Sequence, residues 1–331
     1  MKCLIIHNRG HQPVFSDAML KEIRGMVEMV APEQTTESLA RHPELWEEAE
    51  VLFCGWGAPR LDEEVLKRAV NLKLVLFTAG SVKKFLGDAF WDRGIIICSA
   101  WQANAIPVAQ YTVSQIIACL KDVWRVALRV RREGKYPPRN ELRLEGCYGA
   151  VIGLVSLGAI GRKVCRYLSV FEDMRVIAWD PFMEAGEAKQ LGVELYPLKD
   201  VFSLSNVVSL HPPLLPGTRG MIGGELLAMM KPGASLINTS RGGVIKEKEM
   251  IQVLQQRKDL TAVLDVTDPE PPEAGSPLYN MENVMLTPHI AGSTGKECLR
   301  MGQWMVEELH RYLAGEPLRY SLEREQLKGM A

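Results

Sequence analysis

The sequence predicts an α/β fold, and three observations predict it. Short apolar runs alternate with longer amphipathic stretches along most of the chain, the pattern of parallel strands joined by helices. One of the runs leads straight into a glycine-punctuated turn followed by a helical pattern. The 331 residues, 47% of them hydrophobic, supply core for about two domains of roughly 100–200 residues each. A disordered or fibrous chain is thereby excluded.

In the first hundred residues the runs at 3–7, 51–54, 74–78 and 95–98 read as strands, with helical patterns at 17–30 and 63–69 between them. These units could close a small sheet by themselves. From 104 to about 132, Val113, Ile116, Ile117, Leu120, Trp124 and Leu128 recur at helical spacing. Asn104 as N-cap and Pro107 in the first turn mark the start of what reads as one long helix. The breaker cluster at 133–140 ends it, and a domain boundary is expected nearby. A second series begins at Tyr148, with strands at about 150–155, 175–179, 207–210, 235–238, 262–265 and 284–286, a number that suits a doubly wound sheet. Cys298, Met301, Met305, Leu309 and Tyr312 mark a last long helix ending before Gly315.

Composition narrows the partners. Lys and Arg total 39 against 40 Asp and Glu, a net charge of −1, so neither nucleic acid nor a membrane surface is expected. The longest nearly polar-free stretch, 150–162, falls short of the ~20 residues a membrane span needs. The opening Met-Lys-Cys-Leu-Ile-Ile meets His7, Asn8 and Arg9 too soon for a signal-peptide core. Seven cysteines, odd in number and without a C-x-x-C pair, read as reduced, mostly buried thiols of a cytoplasmic protein. His7 and His11 stand four residues apart with no further ligand at suitable spacing, so no metal is expected.

The segment Val151-Ile-Gly-Leu-Val-Ser-Leu-Gly-Ala-Ile-Gly161 places a buried strand before a turn and a helix beginning near Ala159. Small residues there let the backbone approach a pyrophosphate held at the helix N-terminus by Gly158, Ala159, Ile160 and Gly161. Gly158 and Gly161 match the second and third positions of G-x-G-x-x-G. The first is Ser156, which can make the turn only at negative φ, although Gly153 stands three residues earlier. Asp180 follows Gly161 by nineteen residues at the end of the next strand, near the ~20 expected for a ribose-binding acid. It would accept from a 2′-hydroxyl and repel a 2′-phosphate, so NAD, with NADH preferred over NADPH, is the expected cofactor. An ordinary strand-to-helix turn is the plainer alternative.

Arg241, Glu270 and His289 follow successive strands of the second series, at the carboxyl ends where open α/β sheets hold ligands. Hydride transfer to a 2-keto acid needs a cation for the carboxylate and carbonyl and an acid for the developing alkoxide. Arg241 and His289 are of those types, and Glu270 would orient the imidazole and favour its protonated form. Taken singly, each could be a solvated or structural residue.

These segments resemble the D-isomer-specific 2-hydroxyacid dehydrogenase family over about residues 72–313. The matching pieces are Asn104-Ala-Ile-Pro-Val-Ala-Gln-Tyr-Thr112, the glycine turn, His211-Pro-Pro-Leu-Leu-Pro-Gly-Thr218 and Lys231-Pro-Gly-Ala-Ser-Leu-Ile-Asn-Thr-Ser-Arg-Gly-Gly243. The loop 265–272 and Thr287-Pro-His-Ile-Ala-Gly-Ser-Thr294 complete them. The resemblance implies two Rossmann-like or flavodoxin-like domains, an NAD-binding domain at 104–295 inserted into a substrate domain of 1–103 and 296–331. It implies that Arg241 binds substrate, that His289 is the acid/base and that Glu270 is its partner. It also implies that Asp265 holds the nicotinamide carboxamide, with Thr239 and His211 lining the nicotinamide side. Pro212, Thr218, Ser240 and Gly292 would also line the cofactor. Backbone N–H groups at Ala79-Gly80-Ser81 would grip the substrate carboxylate, and Asn104 would be a further residue of the substrate pocket. Closure about the two long helices and a homodimer through the nucleotide domains are further implications. Ser156, Gln110 in place of a glutamate, and Val82-Lys83-Lys84 without the usual aspartate depart from the family pattern.

Two rivals stand beside this reading. Formate dehydrogenase carries glutamine where Glu270 stands, and a branch of transcriptional corepressors uses the same scaffold to sense NAD(H). Trp56 and Trp101 could line the substrate pocket and Lys83 or Lys84 could meet a second anionic group, the plainer alternative being packing tryptophans and solvated lysines.

Overall fold

Strands covered on both faces read as nearly continuous apolar runs, and most of the runs read above are apolar at all but one or two positions. In the computed structural model, which describes residues 1–8, 13–142 and 144–329, the chain divides into two units, Met1–Ala105 with Ser293–Ala331, and Ile106–Gly292. The first holds β1 (Lys2–Ile5), β2 (Glu28–Met29), β3 (Val51–Cys54), β4 (Leu74–Phe77) and β5 (Ile96–Ser99), all parallel, in the order β2-β1-β3-β4-β5. Every residue of β3 and β4 is buried. One face of the sheet packs through Leu4, Leu52 and Val75, the other through Cys3, Phe53 and Leu74 against Met301, Met305 and Leu309 of the helix Lys296–Ala314. That helix stops at Gly315, left-handed at φ 68. Its buried Glu308 accepts the backbone N–H groups of Arg319 and Tyr320 at 2.9 and 3.1 Å, which pins the following segment.

The second unit holds β6 (Val151–Val155), β7 (Arg175–Trp179), β8 (Glu194–Leu195), β9 (Val207–Leu210), β10 (Ser235–Asn238), β11 (Thr261–Leu264) and β12 (Val284–Leu286), in the order β12-β11-β10-β9-β6-β7-β8. From β6 the chain runs outward to β8 and then returns to β9 on the other side of β6. The order therefore reverses between β6 and β9, and the carboxyl ends of those strands form the crevice in which such sheets bind ligands.

Three local expectations are corrected. The helix expected at 17–30 ends at Met26, and β2 follows it; β8 is likewise a two-residue strand that no apolar run announces. The single helix expected at 104–132 is two, Trp101–Leu120 and Val123–Glu133, separated at Asp122, which adopts φ 50 and pairs with Arg125. Asn104 and Pro107 accordingly lie inside the first helix instead of at its start. Among the described residues no helix is long and apolar enough to cross a membrane and no group of three or more His, Cys, Asp or Glu could hold a metal ion. His11, half of the pair considered for metal, lies outside the described residues.

Candidate functional site

The turn after β6 is built by close backbone approach. A Cβ at Gly161 would stand 2.4 Å from the Ser156 carbonyl oxygen, so only glycine lets the helix Ala159–Leu168 begin this near the turn. Ser156 overturns the expectation of negative φ: it sits at φ 75. Its N–H donates to the Trp179 carbonyl at 2.8 Å, its hydroxyl lies 3.4 Å from Asp180 Oδ2, and the Leu157 N–H donates to that same oxygen at 2.7 Å. These bonds offset the roughly 1–2 kcal/mol that a left-handed L-residue costs. Gly153 lies within β6, outside the turn.

The residues present fit a dinucleotide. Gly158 is the N-cap of its helix with no side chain capping it, and a Cβ there would meet nothing within 4 Å, which leaves room and unpaired N–H groups around Ala159 and Ile160 for an anion. Asp180 directly follows β7, with Oδ1 taking the Phe182 N–H at 2.8 Å. His211, just past β9, is buried; its Nε2 lies 3.1 Å from Ser209 Oγ, and its buried Nδ1 has no partner among the described residues. Burial pushes this imidazole down to about 3, so it is neutral. Pro212 is buried beside it. Thr218 is engaged in its own turn, its hydroxyl accepting from Leu215 N and donating to the Pro213 carbonyl at 2.5 Å.

Arg241, Glu270 and His289 come together in this unit. Asn238, the buried last residue of β10, holds the turn before Arg241: its Nδ2 donates to the Arg241 carbonyl at 3.0 Å, and its Oδ1 accepts from Ser240 N and Oγ at 3.0 and 2.8 Å. Burial pushes the Arg241 guanidinium down from its ordinary value while the Glu270 charge opposes it; it remains a cation at working pH. A Cβ at Gly242 would lie 2.0 Å from the Thr267 carbonyl, so the loop carrying Arg241 rests directly on the one leading to Glu270. His289 Nδ1 lies 2.7 Å from Glu270 Oε1, with the two side chains 49% and 42% exposed, so the pair is open to a reactant.

Asp265 is 1% exposed and already well used. Its Oδ1 accepts from Thr287 Oγ1 at 2.6 Å and Ile290 N at 2.9 Å, and its Oδ2 from Ala291 N at 2.9 Å. The carboxylate thus shapes the His289 loop, while His289 N donates to the Asp265 and Thr287 carbonyls and His289 itself is left-handed at φ 54. Two further contacts reach these loops from the helix Trp101–Leu120: Tyr111 Oη to Thr287 Oγ1 and Thr112 Oγ1 to Thr239 Oγ1, each 3.0 Å. Asn238, Tyr111 and Thr112 were not singled out from sequence; their presence inside the quoted segments was the available signal. Gly292 is half-buried at the end of this unit.

In the first unit, the Ser99 hydroxyl lies 3.2 and 2.9 Å from the Ala79 and Gly80 carbonyls, and Asn104 Nδ2 would lie 3.4 Å from a Cβ at Gly80. Asn104 Oδ1 accepts the Ser293 N–H at 2.9 Å. Ser81 accepts from Lys83 N at 3.4 Å. Trp56 and Trp101 are half-buried against the core of this unit, Lys84 is exposed and Lys83 half-buried.

The family model for the D-isomer specific 2-hydroxyacid dehydrogenase, NAD binding domain, matches residues 113–291. The D-3-phosphoglycerate dehydrogenase of Archaeoglobus fulgidus is 32% identical over 260 residues, 78% of this chain and 49% of that protein. The (S)-sulfolactate dehydrogenase of Chromohalobacter salexigens is 36% identical over 255 residues, covering 77% and 82% of the two chains. The crystal structure of a protein from Thermus thermophilus superposes with a TM-score of 0.78 at 27% identity, over 98% of this chain and all of that one. This chain spans about half the length of the curated phosphoglycerate dehydrogenases it matches.

Proposed function

The chain belongs to the D-isomer specific 2-hydroxyacid dehydrogenase family, and from that premise we propose that it moves a hydride between NAD(H) and a small D-2-hydroxy acid or its 2-keto partner. The observation that carries the reading is the 2.7 Å contact of His289 Nδ1 with Glu270 Oε1, which leaves Nε2 to exchange a proton with substrate. Bound NADH supplies the hydride, and NAD⁺ accepts it in the reverse direction. Arg241 binds the carboxylate and polarises the carbonyl. His289 protonates the oxygen as the alkoxide forms, and Glu270 keeps a proton on Nδ1 and offsets the imidazolium charge.

The unit Ile106–Gly292 takes the cofactor through the 156–161 turn and Asp180, whose negative charge favours NADH over NADPH. The unit Met1–Ala105 with Ser293–Ala331 takes the substrate, through Ala79, Gly80, Ser81 and Asn104. A cytoplasmic homodimer is part of the reading; the cofactor unit leaves the large apolar side chains of Trp124, Leu128, Tyr136, Leu144 and Tyr148 exposed, which a second copy would cover.

The test is NADH oxidation with glyoxylate, hydroxypyruvate, pyruvate, phenylpyruvate and oxaloacetate, joined by the phosphorylated and sulfonated keto acids that the relatives' names suggest. Turnover of at least one is expected, with NADPH poorer by about tenfold or more in kcat/KM and with His289→Ala slower by roughly 10²–10⁴-fold. If NADH binds and no acid is reduced, the nucleotide-sensing reading takes its place.

A further inference from the structure

Two consecutive residues of one helix touch the two loops that carry the proposed reactive side chains. Tyr111 Oη meets Thr287 Oγ1, and Thr112 Oγ1 meets Thr239 Oγ1, both at 3.0 Å. Thr287 stands two residues before His289, and Thr239 two before Arg241. β10 and β12 lie on either side of β11, so their ends are about 10 Å apart by the usual strand spacing. A long phenol beside a short hydroxyl, turned by one helical step, spans that gap.

We infer that Tyr111 and Thr112 are positioning residues that set His289 and Arg241 against a single turn of helix, an inference that rests on the dehydrogenase reading above. Hydrogen-bond direction supports it. Thr287 Oγ1 must donate to the Asp265 carboxylate, which only accepts, so the Tyr111 hydroxyl donates to Thr287. Asp265 in turn holds Ile290 N and Ala291 N, and its backbone carbonyl takes His289 N. His289 is left-handed, a conformation that persists only where its surroundings over-determine it; loosening one brace lets the loop relax. On the other arm Thr112 is fully buried and Thr239 nearly so, so removing one hydroxyl leaves the other without its partner.

The experiment compares Tyr111→Phe, Thr112→Val and Thr112→Ser in the full chain, using the best keto acid of the panel. Tyr111→Phe is expected to lower kcat about five- to tenfold with the keto-acid KM within about twofold of the parent. Thr112→Val is expected to raise that KM about five- to tenfold, and Thr112→Ser to restore it. A second readout needs no turnover: in histidine-labelled protein the His289 ring signal, identified by its loss in His289→Asn, should move in Tyr111→Phe and stay in Thr112→Val. An inactive parent would sink the dehydrogenase reading alone, since the ring signal still judges the positioning. Parent-like kcat and ring signal in Tyr111→Phe would overturn the inference. So would equal changes in kcat and KM in both variants alongside a lower melting temperature, the pattern of general destabilisation.

Discussion

Acidifying the protein from about pH 7 to about pH 5 is expected to cost the fold about 2 kcal/mol through His211 alone, and His211→Gln is expected to remove that part of the acid sensitivity. Burial lowers the imidazole from 6.5 to about 3; Nε2 meets Ser209 Oγ, and the buried Nδ1 has no partner among the described residues. A group whose folded value lies below its unfolded value makes the unfolded chain the better proton binder. Its contribution is therefore intact above about 6.5 and drains away as the pH falls towards about 3. Each pH unit below 6.5 is worth about 1.4 kcal/mol, and about one and a half such units lie between that value and pH 5, hence the figure of about 2 kcal/mol. Urea unfolding of the parent and His211→Gln at both pH values measures it. The direct cost of the substitution appears at both and cancels in the difference. Equal losses on acidification in the two proteins would mean that His211 takes up its proton in the folded state, and the burial argument would fail.

Glu270→Gln keeps a partner for His289 Nδ1 but removes the charge that offsets the imidazolium, so keto-acid reduction is expected to slow by about tenfold or more; a parent-like rate would count against the dyad. Glu308→Ala should destabilise the chain by about 3 kcal/mol, because the Arg319 and Tyr320 N–H groups lose their buried acceptor. Thermal unfolding reads that loss, and Glu308→Gln, which keeps one acceptor oxygen, should lose less.

The strands that position the site were legible because burial on both faces leaves mostly apolar runs, unbroken in β3 and β4 and interrupted in β9 and β10 by the buried polar residues Ser209, Ser235 and Asn238. Two-residue strands such as β2 and β8 carry no such run; backbone pairing with β1 and β7 defines them. The break at Asp122 escaped because the apolar spacing continues across it while the change lies in one backbone dihedral. At Ser156 the residue type argued for negative φ, and bonds from Trp179 and Asp180, distant in sequence, override that preference. Arginine, glutamate and histidine after strands stood out by their chemistry. The braces did not: Tyr111 and Thr112 find partners 176 and 127 residues away, and a hydroxyl on a helix leaves no periodic trace. Asn238 similarly reads as an ordinary strand-end residue until its three bonds are seen.

The turn at Ser156 ties cofactor choice to evolvability. The carboxylate that would discriminate between the two dinucleotides also braces the left-handed serine and its neighbour. Exchanging Asp180 for a neutral residue to admit a 2′-phosphate would therefore unbrace the turn at the same stroke, and adaptation along that route begins with a deficit. Ser156→Gly, which adopts the same backbone without strain, would act as a permissive substitution. The two changes should be epistatic, with the glycine close to neutral beside Asp180 and beneficial once that carboxylate is gone.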